Sequence, residues 1–588
     1  MSTIQLSFND NYSEIYGQTY IDKMNYLVKA ITEYETSEDQ FNVLNFETGL
    51  GKSYTVDRLL LEITNYRWDI KKKYLIVKRF NDESIKSEKY INNEFVQAAV
   101  AITHDNWSKW QNKLDDLQHM KVVIISHQRY ISLCENEELR KAFTNNRDTL
   151  IIDEKINFPV FTYNDKRYTT IYSILPHKLR TSLEKVTKPL NEFINMQIAL
   201  KNTNKVFTHK FKLHPATLRN FIKEIKISLD NKTINGSENR KIVIDFLNEL
   251  DLFYTNQCIY NSGNISTYQT SHKHWGLKNN IILDASGAID GVYLINPKKY
   301  NIINQTRIID HKDCEFNVIK FNSSKSKINK QSSKYFDELT EKILENKKDN
   351  DKILIVTHKD YAERVYNKLN KQLVNDDLWI DKRNKETDPD YQNQSIAISW
   401  YGNLIGKNWA GDFTQVWLLS TPNIPLEHYL IHYLQYSDDK IGNKSTQVYK
   451  GKFKNTYFNT VQNGYIAAEM YQSLKRIQRV AKPKGKFYVV CEDEYIVDTI
   501  LSQIKNAKVT NVIELDFKKE EEENKPKKID QVDKFLEYIL VQDKGNYKKS
   551  DISKQLKITK LNRVLSDTRV KTIVNKKLLI HTRHIEVI

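Results

Sequence analysis

Cysteine is scarce in this 588-residue sequence: Cys134, Cys258, Cys314 and Cys491 are the only four. They are too few and too scattered for a disulfide framework or a CxxC metal site, which leaves buried thiols as their expected state. Long apolar runs are also missing, since none approaches the roughly 20 residues a spanning helix needs. The first residues, MSTIQLSFNDNYSEIYG, lack the basic start and apolar stretch of a secretory signal. A cytoplasmic protein with no membrane partner is therefore expected. No grouping of paired acids with a lysine suggests a nuclease, because ELDFK near residue 514 is an isolated fragment. One further absence is local. In FETGLGKS, residues 46–53, Phe46 stands where the phosphate-loop pattern G-x-x-x-x-G-K-[S/T] begins with glycine.

Charged residues make up 28% and hydrophobic ones 40% of the chain, a balance that buries cores and excludes global disorder. At roughly 100 to 200 residues per domain, the length implies several domains. The net charge of +16 suits a polyanionic partner, because Lys and Arg gain binding free energy by releasing counterions from phosphates. A coding bias toward Lys, Asn, Ile and Tyr in an AT-rich genome would raise the charge without functional cause.

A phosphate loop presents consecutive backbone N–H groups at a helix N-terminus, so glycine is needed where a Cβ would block the approach. Gly49 and Gly51 meet that need, within the loop Thr48, Gly49, Leu50, Gly51, Lys52 and Ser53. Lys52 is placed to reach the β and γ phosphates, and Ser53 to ligate Mg²⁺. The mostly apolar FNVLN precedes the loop as a strand, and KSYTVDRLLLEI follows it with helical spacing. About a hundred residues on, the apolar strand of TLIIDEKINF ends in two acids: Asp153 to hold Mg²⁺ through water and Glu154 to polarise the attacking water. The segments KYLIVKRF, QAAVAITH and KVVIISHQRY alternate with polar or helical stretches, as strands of a parallel sheet with helical crossovers do.

These segments resemble the superfamily 2 helicases and translocases, DEAD/DEAH-box-like motors whose first motif often lacks the leading glycine. The resemblance implies ATP and Mg²⁺ as ligands and nucleic acid as partner. It implies nucleic-acid contacts for Lys78, Arg79, Ser126, His127 and Gln128, and an adenine contact for Gln18. It also requires a second RecA-like domain that supplies arginines. In YIAAEMYQSLKRIQRVAKPKG, Gln472, Arg476 and Arg479 fall on one helical face and Ile466, Met470, Leu474 and Ile477 on the other. This resembles motif VI with Lys475 replacing a glycine, so Lys52, Glu154, Gln472, Arg476 and Arg479 are the catalytic candidates. KNNIILDASGAID resembles motif III through Asp284, Ala285 and Ser286, and DKILIVTHKD resembles motif IV. SIAISWYGNLIGKNWAGDFTQVW resembles motif V, with Gly406, Lys407 and Asn408 implied to grip a strand and Trp400, Tyr401 and Trp409 available to stack on bases.

The expected fold is α/β: two RecA-like parallel-sheet domains with a helical insertion and a C-terminal winged-helix domain. RecA-like domain 1 spans 1–156, the mostly helical insertion 157–278, a return strand with motif III 279–300, and RecA-like domain 2 301–515. A charged linker (516–528) leads to a winged helix-turn-helix at 529–588, which carries 13 Lys or Arg against 7 Asp or Glu. Lys560, Arg563, Arg569 and Arg583 there are candidates for phosphate contact. The XPD and DinG branch of helicases carries an iron-sulfur domain after motif I, but only Cys134 lies between Lys52 and Asp153, so no iron-sulfur cluster is expected. The insertion and the winged helix could also dock proteins. Three readings stay open: a DNA helicase of a phage, plasmid, other mobile element or antiviral defence system; an RNA helicase; and a nucleotide-switched DNA-binding ATPase that never steps.

Overall fold

The computed structural model describes every residue except 1–3, 5, 8–10, 68, 93–95, 203–204, 374–377, 382–393, 405–406, 408, 438, 443–445 and 518–529. The chain divides into two compact units, Met1–Ile513 and Glu514–Ile588. From residue 518 on, the expected linker lies outside the described residues.

The first unit holds two lobes. In lobe 1, the strands β1 (Phe41–Asn45), β2 (Tyr74–Lys78), β3 (Ala99–Ile102), β4 (Val122–Ser126), β5 (Thr149–Asp153), β6 (Asn279–Leu283) and β7 (Tyr300–Asn304) form one parallel sheet in the order β7-β1-β6-β5-β2-β4-β3. Runs such as YLIVK and VVIIS are apolar at every position because helices cover both faces of such a sheet. The sheet continues through Asn304, past the expected limit at residue 300, because β7 pairs with β1 along its whole length.

Lobe 2 repeats the plan with β8 (Glu315–Ile319), β9 (Ile353–Thr357), β10 (Leu378–Ile380), β11 (Ile396–Trp400), β12 (Gln415–Leu418), β13 (Lys486–Val490) and β14 (Val509–Ile513), ordered β10-β11-β9-β12-β13-β8-β14 and again parallel. The α/β architecture of two parallel sheets is the one expected.

Between β5 and β6 lies the insertion. Its long helices His177–Ala199, Pro215–Asp230 and Ser237–Leu250 match the helical periodicity of the sequence. They pack with a four-stranded antiparallel sheet that the helical reading overlooked, built from Phe161–Tyr163, Val206–His209, Cys258–Asn261 and Asn264–Thr267. Ser262 and Gly263 turn its central hairpin with φ of 50° and 85°, the paired left-handed residues of a two-residue hairpin.

Two lobe-2 helices, Leu426–Tyr436 and Thr456–Leu474, reach across to lobe 1. The Tyr436 hydroxyl donates to the Ile156 carbonyl at 2.6 Å, and its ring lies among Phe158, His274, Tyr293 and Tyr300. The second helix crosses the short helix Gly291–Leu294 so closely that a Cβ on Gly291 would overlap the Thr460 carbonyl, and one on Gly464 would overlap the Gly291 amide. Only glycine fits on either side. Among the described residues, no helix is long and apolar enough to cross a membrane.

The second unit runs helix Gln531–Leu540, strand Gly545–Lys548, three short helices (Lys549–Gln555, Leu561–Leu565, Thr568–Lys571) and the strands Leu578–Ile580 and His584–Val587. The three strands pair antiparallel around a core that includes Phe535, Ile539, Ile552, Val570 and Ile585.

Gly464→Ala is expected to cost about 2 kcal/mol through overpacking, read by chemical denaturation, whereas Gly442→Ala, with open space at its Cβ, stays within about 0.5 kcal/mol. Equal effects would refute the crossing. The seam also sets a pH response: burial pushes His428 down to about 4, burial and Lys155 push His432 down to about 3, and burial with Lys299 holds His274 well below its usual value. An unfolded histidine titrates near pH 6.5, so their contribution is whole above that pH and is lost as pH falls toward 4 and below. Unfolding free energy should fall by about 1 kcal/mol per pH unit per histidine below pH 6.5; a flat profile from pH 7 to 5 would contradict this.

Candidate functional site

Phe46 directly follows β1, fully buried, and fills the place of the missing glycine. Gly49 (φ 92°) and Gly51 (φ 77°) take left-handed conformations, and Gly51 caps the helix Lys52–Asn65, which has no side-chain cap. Its first N–H groups therefore stay available for an anion. Lys52 Nζ donates to the Phe46 carbonyl at 3.2 Å, and burial lowers its pKa against the pull of Asp153, Asp284 and Glu154. Ser53 Oγ donates to Asp153 Oδ2 at 2.7 Å, which joins the two expected metal ligands across 100 residues. Gln18 stands exposed at the start of the helix Gln18–Thr32, bonded to Asp22 at 2.6 Å, while Tyr20 of the same helix reaches the Leu50 carbonyl at 3.4 Å.

The parallel register Val77↔Ile152 sets the end of β2 beside the end of β5, so two adjacent cations meet two adjacent acids. Lys78 Nζ lies 3.3 Å from Asp153 and 3.5 Å from Asp57, and Arg79 Nη1 lies 3.6 Å from Glu154 Oε2. The Lys78 side chain is 4% exposed, which corrects its expected role at the nucleic acid: it neutralises acids inside the cleft. Burial opposes the charge on Asp153, but Lys78, Ser53 and Lys52 outweigh it and hold the carboxyl below its usual range. Burial pushes Glu154 up against Arg476 and Arg79, and its backbone has φ of 70°, unusual for a side-chain-bearing residue. His127 is also corrected. It is buried, its Nε2 bonds the Asp153 carbonyl at 2.9 Å, and burial lowers it to about 4, so it supports the acid strand. Ser126 caps the following helix by accepting from the Arg129 N–H, and Gln128 next to it is exposed.

From lobe 2, Gln472 Nε2 donates to Ser286 Oγ at 3.1 Å, and Ser286 Oγ donates to Asp284 Oδ1 at 2.6 Å, linking the segments resembling motifs VI and III. The helix stops at Leu474, so Arg476 and Arg479 do not continue its face as the periodicity predicts. Gln478 turns the chain with φ of 50°, bonded to the Phe413 carbonyl, and Arg479 N–H bonds the Gly411 carbonyl. Arg479 still arrives at the phosphate loop: a Cβ on Gly49 would lie 3.8 Å from its Cγ. Arg476 is buried, donating to the Lys407 carbonyl and Gln472. Lys475, the residue in place of glycine, is buried 2.6 Å from His311 Nε2, and burial lowers its pKa to about 8 against the pull of Glu47. Lys407 is a further correction, since it pairs with buried Asp381 at 2.7 Å. Gly406 and Asn408 lie outside the described residues. Trp409 packs on Trp379 and Phe413, Tyr401 bonds the Ser420 carbonyl, and Trp400 is half-buried.

Sequence reasoning missed several charged neighbours. Glu47 is buried and accepts from the Ile308 N–H at 2.7 Å, while Arg307 bonds Asn45 at 2.8 and 3.0 Å; both tie the inter-lobe connection to β1. Glu83 is pushed up to about 7 by burial and by Asp153 and Glu154, and burial pushes Glu469 up against the pull of Lys155 and Arg79. Lys-Arg directly at a strand end was the one available signal for the pairing. In the second unit, Lys560 and Arg563 are exposed, as is Arg583, but Arg569 is taken by Asp530, Asp533 and Asp567, a correction to its expected phosphate role.

Nucleotide and metal fit these residues. Asp284 Oδ2 and Arg476 Nε are buried polar atoms without hydrogen-bond partners, and the Gly49 cradle would be narrowed by any Cβ.

No family model matches the chain, and no curated protein matches it. Among solved structures, apo XPD aligns with TM-score 0.54 and 13% identity over 84% of this chain and 100% of that chain. Xpd4 of S. tokodaii aligns at 0.49 with 14% identity over 83% and 99%. Mss116p bound to ssRNA and AMP-PNP aligns at 0.35 with 15% identity over 95% and 89%. The arrangement of two parallel sheets is the fold shared with apo XPD.

Lys78→Met would leave Asp57 and Asp153 buried without their cation and should lower stability by about 3 kcal/mol, measured by chemical denaturation. A loss within about 0.5 kcal/mol would return Lys78 to the surface role.

Proposed function

We propose that this chain is a nucleic-acid motor that hydrolyses ATP between its two lobes, with DNA as the track. The approach of Arg479 to Gly49 carries the reading, because it brings a lobe-2 guanidinium to the anion-binding loop of lobe 1. Thr48 to Ser53 would hold the phosphates, and Ser53 with Asp153 would hold Mg²⁺. Bound Mg²⁺ supplies positive charge to the phosphate oxygens. Lys52 would neutralise the β and γ phosphates, and Glu154 would take the proton of the attacking water. The planar forks of Arg476 and Arg479 suit the charge that spreads over a transferring phosphoryl group. Through Gln472 and Ser286, the nucleotide's state would reach the strand ends that face nucleic acid. What favours DNA over RNA is the reading of the second unit as a winged helix-turn-helix, in which the short helix Leu561–Leu565 would enter a groove with exposed Lys560 at its N-cap and exposed Arg563 within it.

Glu154→Gln should lower ATP turnover by about 10²- to 10⁴-fold while fluorescent-nucleotide binding persists, and Lys52→Ala should weaken both. Rates measured with oligo-dT, duplex DNA and oligo-U test the track. Undiminished hydrolysis in Glu154→Gln, or no hydrolysis by the wild type under any condition, would end this reading.

A further inference from the structure

We infer that Lys475 is a positioning residue for hydrolysis: its ammonium joins lobe 2 to the connection between the lobes at His311, acts on Glu47 beside the phosphate loop, and so holds Arg479 in place. This role rests on the motor reading. Lys475 stands where the resembling motif has glycine, at the C-terminal end of the helix Thr456–Leu474. It is buried, and so are Glu47 and His311. Lys475 Nζ lies 2.6 Å from His311 Nε2, while His311 Nδ1 lies 3.0 Å from the Ile309 carbonyl. Burial and Lys475 push His311 down to about 3, so the ring is neutral. A carbonyl only accepts, so the single ring proton sits on Nδ1 and leaves Nε2 to accept. The Lys475 amine is therefore the donor.

The same residue holds an arginine. The Lys475 carbonyl accepts from Arg479 Nε at 3.2 Å, so the backbone that the ammonium anchors also aims the side chain that approaches Gly49. Glu47 in turn accepts from the Ile308 N–H at 2.7 Å, which brings the connection to the same point. Burial, with Arg479 and Arg307, opposes the charge on Lys475, while Glu47 and Cys314 favour it, and the balance lowers its pKa to about 8. Above that pH the amine is neutral and its attraction to Glu47 is gone. The hold on Arg479 should loosen as pH rises.

The test uses the full chain. ATPase is measured with oligo-dT and with oligo-U from about pH 6.5 to about 9.5, and fluorescent-nucleotide affinity alongside, for wild type, Lys475→Met, Lys475→Gln and Lys475→Arg. In wild type, kcat should fall about tenfold per pH unit above about pH 8. Both neutral variants should turn over about tenfold more slowly at about pH 7, without that fall and with nucleotide affinity within about twofold of wild type. Lys475→Arg, which stays charged, should restore most of the rate and keep it to about pH 9.5. If both neutral variants lose their thermal transition, the shift of the alkaline limb between wild type and Lys475→Arg carries the test alone. A folded neutral variant with the wild-type rate, one that loses nucleotide affinity in proportion to its rate, or an alkaline limb that Lys475→Arg leaves in place overturns this inference and leaves the motor standing. A wild type that hydrolyses nothing overturns both.

Discussion

Strand register is the constraint on which the cleft depends. Because β2 and β5 run parallel with Val77 beside Ile152, the residues that leave their ends are neighbours whatever the loops do. Two consecutive carboxylates in a desolvated cleft repel each other and resist ionisation. Two consecutive cations on the next strand cancel that cost residue by residue, Lys78 for Asp153 and Arg79 for Glu154. The two pairs differ in effect, since the first keeps the Asp153 carboxylate charged while the second leaves its acid less firmly held.

Closure of the cleft draws on a different source of order. The helix Thr456–Leu474 is buried on nearly all sides, including Gln462, Asn463 and Glu469, because it is packed between lobes instead of lying on one. Its crossing with Gly291–Leu294 brings backbone against backbone. The Ser286–Gln472 bond comes from the same helix, so the seam and the link to Ser286 share one element.

Much of this was legible in the sequence. Buried parallel strands read as unbroken apolar runs, and the loop, the acid pair and the lobe-2 arginines occur in an order that points to two lobes and one cleft. What escaped depends on partners far along the chain. Periodicity places Arg476 and Arg479 on a helix but cannot see that the helix ends at Leu474, where Gln478 is drawn to the Phe413 carbonyl. Lys78, His127, Lys407 and Arg569 looked free because their buried or acidic partners come from other elements. The hairpin at Ser262–Gly263 was hidden between strong helical signals, although its Ser-Gly pair suits such a turn.

The insertion leaves lobe 1 between β5 and β6, yet much of its bonding is to lobe 2. Asn261 donates to Glu427 at 2.6 Å, Thr446 to the Val206 carbonyl at 2.7 Å, and Gln257 to the Ile441 carbonyl at 3.2 Å. Covalently it is rooted in one lobe, and by hydrogen bonds it is moored to the other. Whatever takes hold of it from outside therefore has leverage on the gap between the lobes, with no need to touch either rim.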